Sequence, residues 1–128
     1  MISRVSQVNF AYINSLGISS VFNIGDSQNI HTKAKVFAVQ REAEIYYSNE
    51  GDLSQYPIFE EEIPQPLLYE PLQTAFYHEK PRIKVNAVNI LGVSTASVFH
   101  IGSTRDIVCE TRTKHIRQLL NSRKKTKN

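Results

Sequence analysis

Cysteine occurs once, at Cys109, so the chain cannot close an internal disulfide, and a C-x-x-C metal or redox pair is absent. No apolar run approaches the ~18 residues that a membrane span needs. The opening Met1-Ile2-Ser3-Arg4-Val5-Ser6-Gln7 has no apolar stretch of the secretory kind, which predicts residence in a cytoplasm-like compartment. Neither a G-x-x-x-x-G-K phosphate loop nor a G-x-S-x-G nucleophile turn occurs, which leaves nucleotide-hydrolysing and serine-hydrolase chemistry without support. Acid is missing from residues 111–128, which carry seven of the fifteen Lys and Arg. The remainder holds eight basic residues against twelve acidic ones, so the net +3 describes the tail rather than the body.

Proline and glycine are scarce and segregated. All five prolines (57, 64, 66, 71 and 81) fall in the middle of the chain, whereas four of the five glycines, Gly17, Gly25, Gly92 and Gly102, fall on either side of it. Those flanks are copies of one another. Ser20-Val21-Phe22-Asn23-Ile24-Gly25-Asp26 returns seventy-seven residues later as Ser97-Val98-Phe99-His100-Ile101-Gly102-Ser103, and Ile30 returns as Ile107. Upstream the best identity lies at an offset of seventy-five, with Asn14, Leu16, Gly17 and Ser19 matching Asn89, Leu91, Gly92 and Ser94. Thr95 and Ala96 then make up the difference. An internal duplication is the first feature to explain.

With 128 residues, 41% hydrophobic and 21% charged, the chain is expected to form one domain burying roughly two-thirds of its unfolded surface. We place that domain at 1–122, with repeat one at about 8–40, a Pro-rich connection at 56–81, repeat two at 83–114, and a basic tail at 123–128. Residues 8–18 are rich in β-branched and aromatic types and predict a strand. The length difference between copies suggests a hairpin tip near Ser19-Ser20, since turns tolerate insertions. Strand 20–24 puts Phe22 and Ile24 on one face and Val21 and Asn23 on the other. Gly25-Asp26 and Gly102-Ser103 then read as hairpin turns. A five-residue loop would oppose Ile24 to Ile30 and Ile101 to Ile107, keeping these isoleucines inside.

Residues 107–114 alternate, which predicts Ile107, Cys109 and Thr111 facing inward and Glu110, Arg112 and Lys114 outward; 34–40 is the counterpart. Between the copies we expect a strand at 44–48, a turn at 49–52, an extended covering segment at 56–71 with Glu60, Glu61 and Glu62 solvated, and strand pairing again at 73–79. Ile116, Leu119 and Leu120 have helical spacing, which predicts a short helix before the tail. The fold expected is all-β: two pseudo-repeated antiparallel meanders forming a sandwich or partly closed barrel. Its core would include Ile18, Phe22, Ile24, Val36, Val93, Phe99, Ile101 and Cys109.

The phrase Asn-Ser-Leu-Gly-Ile-Ser-Ser-Val-Phe-Asn-Ile-Gly-Asp at 14–26 resembles the signature of the GerP spore germination proteins. Together with Ala38-Val39-Gln40-Arg41-Glu42, Tyr47-Ser48-Asn49-Glu50-Gly51, Pro57-Ile58-Phe59 and Lys114-His115-Ile116-Arg117-Gln118, the sequence is most similar to the GerPE member of that family. The resemblance implies a non-enzymatic protein of the inner spore coat, made in the mother cell, that helps small germinants pass the coat alongside other GerP proteins and coat components. It implies no cofactor. Ser103 departs from the Asp usual at that point of the signature.

Candidate sites divide accordingly. The motif and turn residues are Gly17, Gly25, Asp26, Gly92, Gly102 and Ser103, with Asp26 expected to cap its own turn backbone. The exposed alternate face of the repeated strand, Val21 and Asn23 or Val98 and His100, is the candidate interaction surface. Cys109 and His115 lie too far apart along one strand to act as nucleophile and base, about 20 Å. In the antiparallel register Cys109 faces Phe99, and His100 faces Val108. His31, His78, His100 and His115 show no metal-ligand spacing, so no metal is expected. The rival reading is a module that binds nucleic acid or an acidic surface through Arg112, Lys114, Arg117 and the tail residues Arg123, Lys124, Lys125 and Lys127.

Overall fold

The computed structural model describes residues 4–119 except Glu44, Tyr46, Leu68 and Tyr69. It contains six strands: β1 (Val5–Ile13), β2 (Val21–Ile24), β3 (Asn29–Arg41), β4 (Arg82–Ile90), β5 (Val98–Ile101) and β6 (Asp106–Gln118). Two short 3-10 turns, Leu53–Gln55 and Pro57–Phe59, lie between β3 and β4. The all-β expectation holds at this level; the antiparallel meanders do not. Each strand of the first copy pairs with its own counterpart in the second, β1 with β4, β2 with β5 and β3 with β6. The first two pairs are parallel and in register at a constant separation of seventy-seven, from Val5 opposite Arg82 to Ile24 opposite Ile101.

Parallel neighbours cannot be joined by a tight hairpin and need a long crossover. The proline-rich middle of the chain supplies it. The duplicated phrase is therefore laid upon itself, rung on rung, instead of folding back within each copy. The upstream offset of seventy-five gives way to seventy-seven as well: Leu16 bridges to Val93, so Gly17 stands opposite Ser94 and not Gly92. No two-residue insertion exists at a hairpin tip. Ser19 and Ala96, seventy-seven apart, both take left-handed backbone, with φ of 57° and 52°.

The described residues divide into two compact units, 4–34 with 64–111, and 35–63 with 112–119. In the first unit the buried residues are Ile30, Thr32 and Ala34 of β3, Val88 of β4, and Ala96. Thr32 is admitted because its hydroxyl donates to the Ala96 carbonyl at 2.7 Å, a bond that offsets the cost of burying both groups. The expected core is corrected here. Phe22, Val93, Phe99 and Ile101 are half-buried, but Ile18, Ile24 and Cys109 are exposed. Ile107, Cys109 and Thr111 also lie on the more exposed side of β6, whereas Glu110, Arg112, Lys114 and Ile116 are half-buried, the reverse of the predicted phase.

In the second unit Phe59 is buried, with Tyr56 edge-on to it at 6.3 Å and Phe37 against Tyr56 at 4.9 Å. Val36, also predicted for the core, is half-buried. Arg41 is bonded to Glu50 and lies 5.9 Å from the Tyr47 ring centre. The turn at 49–52 is present, tied by Glu50 N–H to the Tyr47 carbonyl and Asp52 N–H to the Asn49 carbonyl. No strand runs through Ile45, Tyr47 and Ser48, and Glu44 and Tyr46 of that prediction lie outside the described residues. Residues 73–79 likewise form no strand. The predicted helix is replaced at its start by β6, which continues through Ile116; Leu120 and the tail lie outside the described residues.

Candidate functional site

The duplicated phrase builds a stacked turn from two copies of the same five or six residues. Phe22 lies over Phe99 with ring centres 5.4 Å apart and planes 8° from parallel. Such a pair contributes about 0.5–1.5 kcal/mol beyond its area burial. Beside it, the Asn23 amide donates to the Gly25 carbonyl at 3.2 Å and meets His100 Nδ1 at 3.0 Å. The face assigned to meet different neighbours is thus half-buried, and its two divergent residues bond to each other. Val21 and Val98 are in register and half-buried too.

The turn that follows is shaped by glycine for a reason other than a hairpin. Gly25 and Gly102 have φ of +121° and +146°, backbone that disfavours any side chain. Gly25 N–H donates to the Ile101 carbonyl at 2.8 Å and Ser27 N–H to the Ser103 carbonyl at 2.9 Å. A Cβ on Gly102 would stand 2.2 Å from the Gly25 carbonyl oxygen, whereas one on Gly25 would meet nothing within 4 Å. Gly17 is closed in by the backbone of Val93, Ser94 and Thr95, all within 3 Å of a notional Cβ, and a Cβ on Gly92 would stand 3.0 Å from the Ser15 hydroxyl.

Asp26 does not cap its own turn; it ties the other copy to the start of β1. Its carboxylate accepts from Ser103 N–H at 2.8 Å and Arg4 N–H at 3.0 Å, and the Arg4 guanidinium donates to the Ser103 hydroxyl at 3.3 Å. The Ser103 N–H, then the Arg4 N–H, hold the Asp26 carboxyl below its ordinary range. Ser27 adds a hydroxyl contact to Thr104 at 3.0 Å. Arg4 and Thr104 had no role in the sequence reading; the Ser27/Thr104 pair carried a signal, two hydroxyls at the repeat separation, while Arg4 carried none.

Asn23 donates to Nδ1 of His100, placing the ring proton on Nε2, which is shielded and without a partner. Cys109 is exposed, and Phe99, its expected neighbour, is instead stacked on Phe22. His100 likewise meets Asn23 in place of Val108. Among the described residues no three His, Cys, Asp or Glu gather as a metal site would. Of the basic candidates, Arg112 is engaged internally, donating to the Ile58 carbonyl at 2.9 Å and also to the Glu61 carbonyl. Arg117 is exposed on β6; Arg123, Lys124, Lys125 and Lys127 lie outside the described residues.

The arrangement offers hydrogen-bonding strand edges and a stacking surface. In β2, Val21 N–H points to β5 by its bond to Ser97, so alternation turns the backbone groups of Phe22 and Ile24 away from β5. The same alternation turns those of Val98 and His100 away from β2. Each pair thus has two outer edges without a strand partner among the described residues.

No solved structure is significantly similar to this chain. A curated relative from Bacillus cereus, described as a probable spore germination protein GerPE, is 34% identical over 104 residues, 80% of this chain and 81% of that protein. The family described as spore germination protein GerPE matches residues 5–125. With nearly the whole chain matched, this protein belongs to the GerPE family of spore germination proteins.

Proposed function

We propose that the protein acts in germination as a non-enzymatic component of the inner spore coat, needed for small germinants to cross the coat. It is made in the mother-cell cytoplasm and works by assembly with sister GerP proteins and coat components. Family membership supports the germination role. The single observation that supports assembly is the parallel stack itself, in which the repeated phrase serves as a strand-pairing unit and leaves outer edges of the same composition.

Deleting the gene and comparing germination of intact and chemically decoated spores tests the role. The expected result is slow germination of intact spores and recovery on decoating. A defect that survives decoating refutes passage through the coat as the step affected. Assembly is tested by measuring the mass of the purified chain with and without sister GerP proteins; failure to change mass in any mixture refutes it.

A further inference from the structure

The two copies are buried unequally, and the inequality has a direction. In the first copy Ile30, Thr32 and Ala34 are 8%, 4% and 5% exposed; their counterparts Ile107, Cys109 and Thr111 are all exposed, Ile107 by 45%. What lies on the first stretch is the turn of the second copy, through the bond from Thr32 to the Ala96 carbonyl. That turn shows the complementary inequality. Ala96 is 2% exposed and Thr95 half-buried, whereas their counterparts Ser19 and Ile18 are exposed, Ile18 by 77%. One end of the stack therefore presents a bare turn, and the other a bare strand of the kind that such a turn covers.

We infer that the protein associates with a second copy of itself head to tail. The turn at Ile18 and Ser19 of one copy seats on Ile107, Cys109 and Thr111 of the next, as Thr95 and Ala96 seat on Ile30, Thr32 and Ala34 within a chain. This rests on the strand-edge assembly proposed above and names its geometry and one occupant. Two further features match. The outward backbone groups of Val98 and His100 meet those of Phe22 and Ile24 in parallel register. Gly25, open on the side where Gly102 is filled by Gly25, receives the Gly102 carbonyl of the copy below. The contact is heterologous, so it extends to longer stacks instead of closing at a dimer.

Two exposed positions allow each end to be blocked separately. Ile18→Glu puts a charge on the turn, and Cys109→Glu puts one on the strand. Mass measurement over a concentration series should show wild-type species at multiples of 14.6 kDa. Each variant alone should stay monomeric with wild-type circular dichroism, and an equimolar mixture should form a dimer and nothing larger, since each variant keeps one good end. Alkylation of Cys109 should slow as the wild type associates, and Gly25→Ala should be a folded monomer. A wild type that is monomeric throughout, growth of either blocked variant alone, or a mixture that fails to dimerise overturns the inference. If a monomeric wild type still binds a sister GerP protein, self-stacking is refuted while assembly with sisters stands.

Discussion

Replacing the two equivalent glycines with alanine, one at a time, separates the stacked turn from a pair of independent hairpins. Both have positive φ, so both alanines incur the strain of a backbone region nearly reserved for glycine, about 1–3 kcal/mol. Only Gly102→Ala adds a clash. Its Cβ would lie 2.2 Å from the Gly25 carbonyl oxygen and 2.6 Å from the carbonyl carbon, both of them backbone atoms that move only by opening the turn. That raises the cost to about 4 kcal/mol or more, the range reserved for overpacking and strain combined. For a chain of this length 1 kcal/mol corresponds to about 4 °C in Tm. Gly25→Ala should thus lower Tm by about 4–12 °C, and Gly102→Ala by about 16 °C or enough to prevent folding at all. Thermal melts followed by circular dichroism, at concentrations where the chain is monomeric, read the difference. Equal losses would refute the stack, because glycines serving two separate hairpin turns are interchangeable in cost.

Four further outcomes follow from the same contacts. Asp26 titrates near 3.8 in the unfolded chain and lower in the folded one, so its charge stabilises fully above that value and the contribution is lost as pH falls through the folded value. The Tm gap between wild type and Asp26→Asn should stay constant from about pH 5 upward and close below 3.8. Thr32→Val leaves the buried Ala96 carbonyl unpaired and should cost about 1–3 kcal/mol in urea unfolding, while Thr32→Ser retains most of the stability. A double-mutant cycle of Phe22→Leu and Phe99→Leu should give a coupling of about 1 kcal/mol, and additivity would disprove the stacked rings. Arg112→Ala releases the carbonyls of Ile58 and Glu61, and limited proteolysis within 56–63 should speed up about tenfold for a local loss of about 1.5 kcal/mol.

The repeated strands were legible in the sequence, but the way the repeat is used was not. Val21–Ile24 and Val98–Ile101 were legible as strands because β-branched and aromatic residues alternate there and glycine ends them. Their partners were not legible. A glycine with positive φ after a short strand serves a hairpin and a stacked turn equally well, and local pattern has no term for a neighbour seventy-seven residues away. The parallel solution could have been weighed from the connection, which is long enough for a crossover and carries all five prolines. The burial phase of β6 was misread for a related reason. Ile107 and Cys109 alternate like core residues, but in a stack the residue that covers a position comes from the rung beyond it, and β6 has no such rung within the chain. At the candidate site, Gly25, Asp26, Gly102 and Ser103 follow the ends of β2 and β5, and Asp26 bonds to Ser103 of the other copy and to Arg4 instead of to its own loop.

Where the copies differ then acquires meaning. A translational stack asks each rung to present the same groups upward and downward, so a difference between copies changes one joint and spares another. The joint inside the chain is crossed by Asp26, which takes the N–H of Ser103 from the other copy while accepting that of Arg4 from its own. At the repeat separation Asp26 is replaced by Ser103 and Arg4 by Pro81, which has no N–H to donate. A rung added beyond the second copy would find no carboxylate and none of the charge-assisted bonds that go with it. The phenylalanine, valine and isoleucine positions are unchanged, so the apolar part of the joint is preserved. A joint between copies is consequently weaker than the one within. Restoring Asp with Ser103→Asp should strengthen it, raising the associated fraction at fixed concentration without altering the monomer's fold; a variant that associates no better would show that the apolar stack, and not the cap, governs the joint.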